Sequence, residues 1–505
     1  MVPAKWPAPL RRSLSLECSM STSRILAVGL GAAAALAAVP AQAEVRTWRM
    51  HDDHVLGTSL DLAVVASSQA SAEMAAAAAR AEIDRLDAIL SGWRDDSELA
   101  ALNGARQRVV SPDLFAVLHA AETWRERTGG AFDARIGATT AALRRGEMAA
   151  HATPAAVTLD AATRTVTRPE GVTFDLDGVA KGYVIDKALE AARAASPDVA
   201  GVMVDIGGDL RCWGQGPGGA WRVGVAEACE TADNAAPVTV LNADDRAVAY
   251  SGRGLRDLTV DGRVVSATLN PADGRPVEET HAVCVTAAKA ADADALATAM
   301  GVMDVDAAIA LADRTPGVEA LVFRANGDRR ASAGWQRLVD TRDGPRAQLI
   351  RVADGPVWPK GFEVAVAYEV PKIAVGNYRA PYLAIWVTDE NKQLVRVLTM
   401  LGDNAKWIPD NYVFWRRYGR KTPEVASTAR PTRAPGKYSA SWDGRDQAGK
   451  PVGQGTYTIH VEAVREHGGH SYVSSDLVVG AAAANVSIPG KEELGGVVLR
   501  YGKKK

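Results

Sequence analysis

One short stretch of the chain, residues 175–186, combines residue types that bind anions. It reads Asp-Leu-Asp-Gly-Val-Ala-Lys-Gly-Tyr-Val-Ile-Asp, and we interpret it as a strand that stops at two glycines and turns into an amphipathic helix. Gly178 and Gly182 let the backbone approach a ligand closely, the start of the helix offers unpaired N–H groups, and Lys181 adds a positive charge. A phosphate suits such a turn. Because the glycine spacing matches neither the Rossmann fingerprint nor a P-loop, an ordinary strand-turn-helix remains the alternative.

A carboxylate and a hydroxyl occur four residues apart further along the chain. Asp294 and Thr298 lie in a segment predicted to be helical, so both project from one face. Both are hard oxygen ligands, and Mg²⁺ is commonly held by a few such groups together with substrate phosphates. The pair therefore predicts a magnesium site beside the phosphate site. In the alternative interpretation Asp294 complements the helix dipole and Thr298 hydrogen-bonds back to residue 294.

Apolar residues beside glycine-bearing turns could wall a pocket for a planar ring. Leu56, Trp93 and Phe132 occupy such places, although residues of these types usually belong to the core. Two histidines, His467 and His470, flank a pair of glycines and invite interpretation as a metal site. Because no third ligand is evident in the sequence, a solvated turn is the better interpretation.

Two predicted helices position the aromatic candidates. Residues 71–90 repeat apolar side chains near the helical period, with Ser71 as the N-cap, and this helix ends just before Trp93. A second helix begins at Ser111 and closes at a glycine pair. Residues 131–133 are therefore expected on a loop.

Length and composition bound the architecture. The 505 residues are too many for one ordinary core, and a formal charge of −2 gives no net field that recruits nucleic acid. Short β-rich segments with few helices predict an α+β N-terminal domain, with mixed sheets and flanking helices, over residues 44–335. Residues 336–358 are interpreted as a linker. Strands without helical periodicity over residues 359–505 predict an all-β, sandwich-like C-terminal domain.

The first 43 residues are interpreted as a cleaved export signal. Arg24 precedes an apolar run over residues 25–39 and a small-residue cleavage site over residues 40–43, and Met20 is an alternative start. The run is too short for a comfortable membrane span. We expect the mature protein in the periplasm.

Three cysteines follow the expected cleavage site. Cys212 and Cys229 could pair in an oxidising compartment, while Cys284 lies in an apolar segment that predicts a buried thiol. The spacing of the three does not match a metal site. The pairing is left open.

Four motifs, in the same order, resemble those of the ApbE-like FAD:protein FMN transferases. The first, Gly130-Ala-Phe-Asp133, and the last, Ala293-Asp-Ala-Leu-Ala-Thr298, agree with the family letter for letter. The second, Asp175-Leu-Asp-Gly-Val-Ala-Lys-Gly-Tyr183, is similar to the family's Asp-Leu-Gly-Gly-Ile-Ala-Lys-Gly-Tyr. The third, Asp205-Ile-Gly-Gly-Asp209, is similar to its Asn-Xaa-Gly-Gly-Asn/Asp. Each motif alone is weak, but four in order are specific. The resemblance covers most of residues 47–330.

The resemblance implies a catalytic domain that transfers FMN from FAD to a threonine or serine hydroxyl of an extracytoplasmic redox protein, with AMP as the leaving group. In family terms Asp294, Thr298 and the carbonyl of Gly178 would hold Mg²⁺. The expected FAD contacts are Leu56, where the family has methionine, Trp93, where it has tyrosine, Ala131, Phe132, Asp133, Asp175, Lys181 and Leu269. A divalent ion suits this chemistry because it neutralises the negative diphosphate.

One segment departs from the family pattern. Where the family commonly reads Ser-His-Ile-Ile-Asp-Pro, residues 266–271 read Ser-Ala-Thr-Leu-Asn-Pro, so that Ala267 and Asn270 replace a histidine and an aspartate. If that histidine accepts the proton of the incoming hydroxyl, this chain lacks it. Asp177, which stands where the signature has glycine, is the unusual carboxylate nearby, and Asp177 and Asp294 are our catalytic candidates.

Two other functions fit the same residues. A general base is typically worth about 10²- to 10⁴-fold in rate, so its loss leaves room for a chain that transfers slowly or only binds. The first alternative is an FAD pyrophosphatase that gives FMN and AMP. The second is a non-catalytic FAD-binding or redox scaffold protein.

The C-terminal part, residues 345–490, resembles an uncharacterised periplasmic β-domain that occurs with flavin-transfer and haem-reductase-like membrane proteins. The expected partner is a separate acceptor flavoprotein with a threonine or serine flavinylation motif, and an inner-membrane redox complex is a further candidate. Residues 426–430 read Ala-Ser-Thr-Ala-Arg, without the glycine and terminal threonine of a flavin acceptor site. Self-acceptance at Ser427 or Thr428 is therefore a weaker interpretation than a plain loop.

Overall fold

The computed structural model describes residues 45–147, 155–226, 237–252, 257–260, 263–277, 282–324, 328–340, 356, 358–375, 378–402, 408–421, 432–447, 449–466 and 468–504. The expected export signal, Cys229, His467 and residues 426–430 lie outside the described residues. Within these ranges no helix has the length and hydropathy that crossing a membrane requires.

The N-terminal region alternates strands with helices. The strands are β1 (Arg46–Val55), β2 (Thr58–Ala66), β3 (Gln107–Val109), β4 (Thr158–Asp160), β5 (Thr165–Thr167), β6 (Val199–Ile206), β7 (Asp209–Gly214), β8 (Arg222–Val225), β9 (Thr239–Asn242), β10 (Ala247–Ser251), β11 (Leu258–Val260), β12 (Arg263–Val265), β13 (Ala282–Ala287), β14 (Glu319–Phe323) and β15 (Arg329–Ala331). The helices are α1 (Gln69–Leu90), α2 (Glu98–Asn103), α3 (Pro112–Arg127), α4 (Gly137–Arg144), α5 (Asp177–Ala194), α6 (Ala290–Val302) and α7 (Val305–Arg314).

A large sheet organises this region. Its strand order is β1-β2-β6-β7-β10-β13-β14-β15, and each neighbouring pair runs antiparallel. The α+β class is confirmed, with antiparallel pairing in this sheet where mixed sheets were expected. β1 and β2 form a hairpin whose turn, Leu56 and Gly57, has φ values of +50° and +76°. Glycine adopts this left-handed region without strain, whereas leucine does so rarely.

The two faces of the sheet pack against different layers. On one face Val202, Val204 and Ile206 of β6 are fully buried in a core that includes residues of α1, α5 and α6. On the opposite face Cys212 and Cys284 are buried in a second core. Both are free thiols, so the structure does not pair Cys212, and burial raises the pKa of each thiol above its usual value.

Two helix starts differ from the sequence-based expectation. Ser68 rather than Ser71 caps α1, because the Ser68 hydroxyl accepts the N–H of Ser71 at 3.2 Å. The glycines of the organising stretch do not form a turn, since α5 already begins at Asp177 and both Gly178 and Gly182 lie inside it. Their role is therefore one of helix packing.

The C-terminal region is β-rich. Its elements are β16 (Phe362–Val370), β17 (Tyr382–Thr388), β18 (Leu394–Leu401), α8 (Tyr412–Arg417), β19 (Gly436–Trp442), β20 (Gly455–Val464), β21 (His470–Val479), β22 (Ala484–Ile488) and β23 (Val497–Lys503).

Two four-stranded sheets enclose the C-terminal core. Their orders are β19-β16-β23-β22 and β18-β17-β20-β21. Val366 of the first sheet and Ile385 of the second are fully buried in one shared core, which confirms the all-β, sandwich-like class. Trp358, assigned to the linker on sequence, packs edge-on against Trp442 of this core. The domain boundaries stay predictions.

Candidate active site

Helices α5 and α6 are in close contact at Gly182. A Cβ atom there would lie 2.2 Å from the carbonyl oxygen of Ala290, so only glycine permits this contact. Nearby, the N–H of Gly182 donates a 3.0 Å hydrogen bond to Oδ2 of Asp294. Asp294 is 6% exposed, and a carboxylate so buried needs such donors or a cation. The contact thus fixes the Asp294 carboxylate against the first turns of α5.

The three expected magnesium ligands lie together at this α5–α6 contact. Thr298 follows Asp294 by one turn of α6, and its Oγ1 would lie 3.0 Å from a Cβ atom placed on Gly178. A larger residue at position 178 would therefore crowd the hydroxyl. In the described part of the chain, no three His, Cys, Asp or Glu side chains cluster as a metal site. The candidate magnesium ligands are of a different kind from such a cluster, because they combine one carboxylate with a hydroxyl and a backbone carbonyl.

An arginine-centred network lies at the start of α5. Arg144, the last residue of α4, donates through Nη2 to Oδ2 of Asp175 at 3.0 Å and to Oδ2 of Asp177 at 2.8 Å. Its guanidinium lies over the indole ring of Trp93, 4.3 Å from the centroid, and the indole Nε1 donates to Oδ2 of Asp177 at 3.3 Å. Trp93 is 70% exposed. The structure therefore presents this aromatic ring to solvent beside the oxygen donors.

Lys181 of α5 reaches the turn between β6 and β7. Its Nζ lies 2.5 Å from Oδ2 of the buried Asp209. Asp205, at the end of β6, accepts the N–H of Gly208 at 2.8 Å. Burial raises the pKa of Asp205 to about 7, and the nearby Asp61 and Asp209 carboxylates raise it as well. The third motif thus forms a carboxylate-rich turn partly neutralised by Lys181.

Comparison with known proteins identifies the family of this region. The ApbE family matches residues 56–322, more than half of the chain. The chain belongs to the ApbE family. It is 31% identical over 295 residues to the FAD:protein FMN transferase of Treponema pallidum (strain Nichols), covering 52% of this chain and 80% of that protein. It is 25% identical over 285 residues to the FAD:protein FMN transferase of Haemophilus influenzae (strain ATCC 51907 / DSM 11121 / KW20 / Rd), covering 51% of this chain and 81% of that protein.

A solved ApbE structure shares the fold. The crystal structure of the ApbE protein of Thermotoga maritima covers 58% of this chain and 100% of its own, with 25% sequence identity and a TM-score of 0.52. Residues 363–496 match a different family, DUF2271, described as a predicted periplasmic protein. The ApbE region and the β-rich region therefore match separate families.

The ApbE motif around Phe132 supports the α5–α6 contact from within the core. Phe132 is 4% exposed, and its Cε2 would lie 3.2 Å from a Cβ atom on Gly178. Asp133 forms a two-pronged salt bridge with Arg135, with contacts of 2.9 and 2.7 Å. The ring of Phe132 therefore lies in the core below the first turn of α5, and its role as a wall of a flavin pocket stays a prediction. Ala131 is half-buried beside it.

The segment that departs from the ApbE pattern keeps a defined turn. Oδ1 of Asn270 accepts the N–H of Ala272 at 3.0 Å, a bond that an aspartate could also make. Ala267 is exposed, whereas Leu269 is 4% exposed and packs in a small cluster with Leu143 of α4. Leu269 is therefore packed against α4, whose last residue is Arg144.

Leu56 lies at a turn next to this ApbE site. It is half-buried against the main core. Thr58, which follows in the same turn, would lie 2.7 Å from a Cβ atom on Gly207, which has a φ of +62°. The β1–β2 turn is thus packed against the β6–β7 turn that holds Lys181.

Sequence reasoning missed two residues that organise the ApbE site. Arg144 carries no motif, and its partners come from two segments distant from it along the chain, one with Trp93 and one with Asp175 and Asp177. Asp186 ends the signature stretch, and its carboxylate accepts the N–H groups of Ala290 and Ala291 at 2.9 and 3.1 Å, thereby capping α6. Burial raises the pKa of Asp186. The spacing of Asp186 four residues after Gly182 places both on one face of α5 and was the available signal.

His470 does not lie in a simple solvated turn. Its Nε2 lies 2.7 Å from Oε1 of the fully buried Glu462, and its ring stacks on Tyr412 at 4.2 Å. Glu462 also accepts the N–H groups of Val413 and Phe414, both at 2.9 Å. His470 thus belongs to a polar network that anchors the start of α8.

Proposed function

We propose that this chain is a Mg²⁺-dependent FAD:protein FMN transferase. The observation that carries the proposal is the convergence of Gly178, Asp294 and Thr298 at the α5–α6 contact, directly beside the network that holds Trp93. Oxygen donors for a divalent ion and an exposed ring for a flavin lie in one region. The FAD:protein FMN transferases among its relatives support the same assignment.

The proposed reaction is a phosphoryl transfer without redox change. A threonine or serine hydroxyl of the acceptor attacks the phosphorus on the FMN side of the FAD diphosphate. A phosphoester bond joins FMN to the acceptor, the bond from that phosphorus to the bridging oxygen breaks, and AMP leaves with that oxygen. The hydroxyl proton passes to a base or to solvent. Positioning and charge stabilisation supply most of the rate in such transfers.

The residues at the α5–α6 contact fit a magnesium ion. Gly178 leaves room beside the Thr298 hydroxyl, and the donors are hard oxygens. Asp294, Thr298 and the carbonyl of Gly178 would hold the ion, which when bound neutralises the diphosphate and stabilises the departing AMP. The N–H of Gly182 orients Asp294 by occupying one carboxylate oxygen.

The proposed FAD contacts differ in the neighbours that each side chain has in the structure. Trp93 offers an exposed indole ring. The isoalloxazine could stack on it, since aromatic rings favour offset stacked arrangements. Lys181 supplies charge near the diphosphate while held by Asp209. Asp175 contributes to the site by accepting a hydrogen bond from Arg144, which it helps to hold in place. We propose that the remaining contacts, Leu56, Ala131, Phe132, Asp133 and Leu269, shape the site mainly from the turns and core around it.

The β-rich region bears on where the reaction takes place. Residues 363–496 match a family described as a predicted periplasmic protein, which supports an extracytoplasmic reaction after removal of residues 1–43. The acceptor would then be a periplasmic redox protein with a threonine or serine flavinylation motif. An enzyme and acceptor that meet in an inner-membrane redox complex would fit the same placement.

Nucleotide chromatography tests this function. The mature chain, FAD, Mg²⁺ and an acceptor domain bearing the motif are incubated together, and a second reaction omits the acceptor. We expect AMP to appear in step with covalent flavin, and FAD to persist without the acceptor. Rapid conversion of FAD to FMN and AMP without acceptor would instead establish a pyrophosphatase. FAD that stays bound and intact in both reactions would establish a flavin-binding scaffold.

A further inference from the structure

The exposed ring of Trp93 is held by three neighbours, which together with it we name the Arg144 clamp: Trp93, Arg144, Asp175 and Asp177. The Arg144 guanidinium covers one face of the indole at 4.3 Å from its centroid. Because 70% of the tryptophan nevertheless remains exposed, the other face is open to a ligand. An exposed tryptophan held in one orientation is a ready stacking platform for a planar ring.

Two carboxylates of the clamp hold the guanidinium of Arg144. Arg144 Nη2 donates to Asp175 at 3.0 Å and to Asp177 at 2.8 Å, and the side chain of Asp175 is only 12% exposed. The N–H of Asp177 in turn donates to Oδ1 of Asp175 at 3.0 Å, which ties both carboxylates to the start of α5. Arginine suits this place because one planar group can donate to carboxylates and lie over a ring at the same time.

The bonds at Asp177 bear on its role. Its Oδ2 accepts from both Arg144 and the Trp93 indole. A proton acceptor needs a lone pair directed at the incoming hydroxyl, whereas this oxygen is already directed at two donors. These contacts match a residue that holds Arg144 and the indole in place.

We propose that Arg144 is a positioning residue for the flavin ring: it backs one face of Trp93 so that the isoalloxazine stacks on the other, and Asp177 acts through Arg144 rather than as the proton acceptor. This inference rests on the proposed function, since it takes FAD as the ligand. It accounts for the carboxylate at position 177, where the family signature has glycine, because that carboxylate accepts hydrogen bonds from both Trp93 and Arg144.

Binding of FAD to the full mature chain in Mg²⁺ tests the clamp without an acceptor. Quenching of flavin and tryptophan fluorescence reports stacking directly. We expect Arg144→Gln and Asp177→Asn each to raise the Kd for FAD by about 3- to 10-fold and to weaken the quench, because each weakens the contacts that hold the indole ring in place. The double variant should be no worse than Arg144→Gln alone. Arg144→Lys should recover only part of the loss, since an ammonium cannot reproduce the planar contact.

A matched control lies next in the chain. Arg145 pairs with Glu147 on the surface at 3.0 Å, so Arg145→Gln removes the same charge without touching the ring and should leave Kd and quench unchanged. In turnover with acceptor, the clamp variants should raise KM for FAD while kcat at saturation stays within about 3-fold of wild type.

Three outcomes would overturn the clamp. One is an unchanged quench in a folded Arg144→Gln variant. Another is a loss in Arg145→Gln as large as that in Arg144→Gln. The third is a fall in kcat of about 10²-fold in Asp177→Asn with unchanged Kd, in both the wild-type and Arg144→Gln backgrounds, which would make Asp177 the proton acceptor. A chain that binds and quenches FAD but labels no acceptor would refute the transferase while leaving the clamp intact.

Discussion

The backbone N–H of Gly182 in α5 donates to the carboxylate of Asp294 in α6 at 3.0 Å, across a contact where a Cβ atom on Gly182 would lie 2.2 Å from Ala290. One glycine thus sets both the separation of two helices and the position of a carboxylate. The proposed metal ligands depend on this contact, because Thr298 and Gly178 face each other only while the helices stay this close. The site and the core are therefore coupled.

Substitution of that glycine should affect stability before chemistry. We expect Gly182→Ala to lower the free energy of unfolding by at least about 3 kcal/mol, because the methyl group meets rigid backbone at Ala290. Denaturant unfolding measures the change. Gly301→Ala in α6 is the control, since its Cβ would lie 3.5 Å from the nearest atom, and it should be neutral or slightly stabilising. Equal stability of the two variants would contradict this role for Gly182.

Asp294 combines a structural bond with the proposed metal ligation, and two substitutions separate them. Asp294→Asn keeps an oxygen that can accept the Gly182 N–H, so it should fold nearly as well as wild type, yet lose at least about 10²-fold in transfer. Thermal unfolding with and without Mg²⁺ should show stabilisation by the ion in wild type but not in Asp294→Asn. Asp292→Asn, on the same helix and bonded to Trp124, should keep the Mg²⁺ response. A full Mg²⁺ response in Asp294→Asn would remove that residue from the metal site.

Asp205 should make the folded chain less stable as the pH rises. Its folded pKa of about 7 lies above the unfolded value of about 3.9, so the favourable contribution of its neutral form is complete below about pH 4 and is lost as the pH rises through 7. Asp205→Asn should therefore stabilise the chain at pH 8 by up to about 2 kcal/mol, after allowance for partial exposure. The gap from wild type, measured by denaturant unfolding, should shrink toward pH 4. A constant gap would refute the assignment.

The contribution of His460 to folding stability should have the opposite pH dependence from that of Asp205. His460 stacks on Trp386 at 4.8 Å and bonds to Thr388 and Tyr472, and burial, together with the Arg417 charge, lowers its pKa to about 4. Because the unfolded value is about 6.5, this contribution is complete above pH 6.5 and is lost as the pH falls toward 4, by about 3 kcal/mol in all.

His460→Gln should remove the loss of stability expected between pH 6.5 and 4. His119→Gln, at an exposed position in α3, serves as the control. Denaturant unfolding of the three proteins between pH 4 and 7 provides the measurement. Identical profiles in wild type and His460→Gln would show that another group titrates.

Ala267 tests whether the missing histidine limits the rate. Ala267 is exposed, so Ala267→His should fold normally and place an imidazole where the family has one. If proton acceptance limits transfer, kcat should rise by about tenfold with little change in FAD affinity. Ala267→Gln is the control for added bulk. An unchanged kcat in Ala267→His would show that this proton transfer is not limiting.

The sequence was most informative where spacing within one element decides the outcome. Asp294 and Thr298 lie on one face of α6 because they are four residues apart. The expected helix within residues 175–186 is present, but Gly178 and Gly182 lie inside it rather than in a turn after a strand. Both glycines are in close contact with α6. A single sequence carries no record of such tertiary contacts.

Residues that depend on several segments escaped sequence reasoning for the same reason. Arg144 gains its role from Trp93 and Asp177, which are 51 and 33 residues away along the chain, and nothing in its own neighbourhood marks it. Phe132 and Trp93 were equally plausible ring contacts on sequence. Their burial separates them, since Phe132 is 4% exposed and Trp93 70%.

The intact mass of a threonine-bearing acceptor domain, measured after incubation with this chain, FAD and Mg²⁺, shows whether the chain is a flavin transferase. We expect the acceptor to gain the mass of FMN less one water, the label to map to the motif hydroxyl, and EDTA or Asp294→Asn to abolish it. An acceptor that remains unmodified under every divalent ion tried, while the chain stays folded and binds FAD, would contradict the assignment of this chain as a flavin transferase.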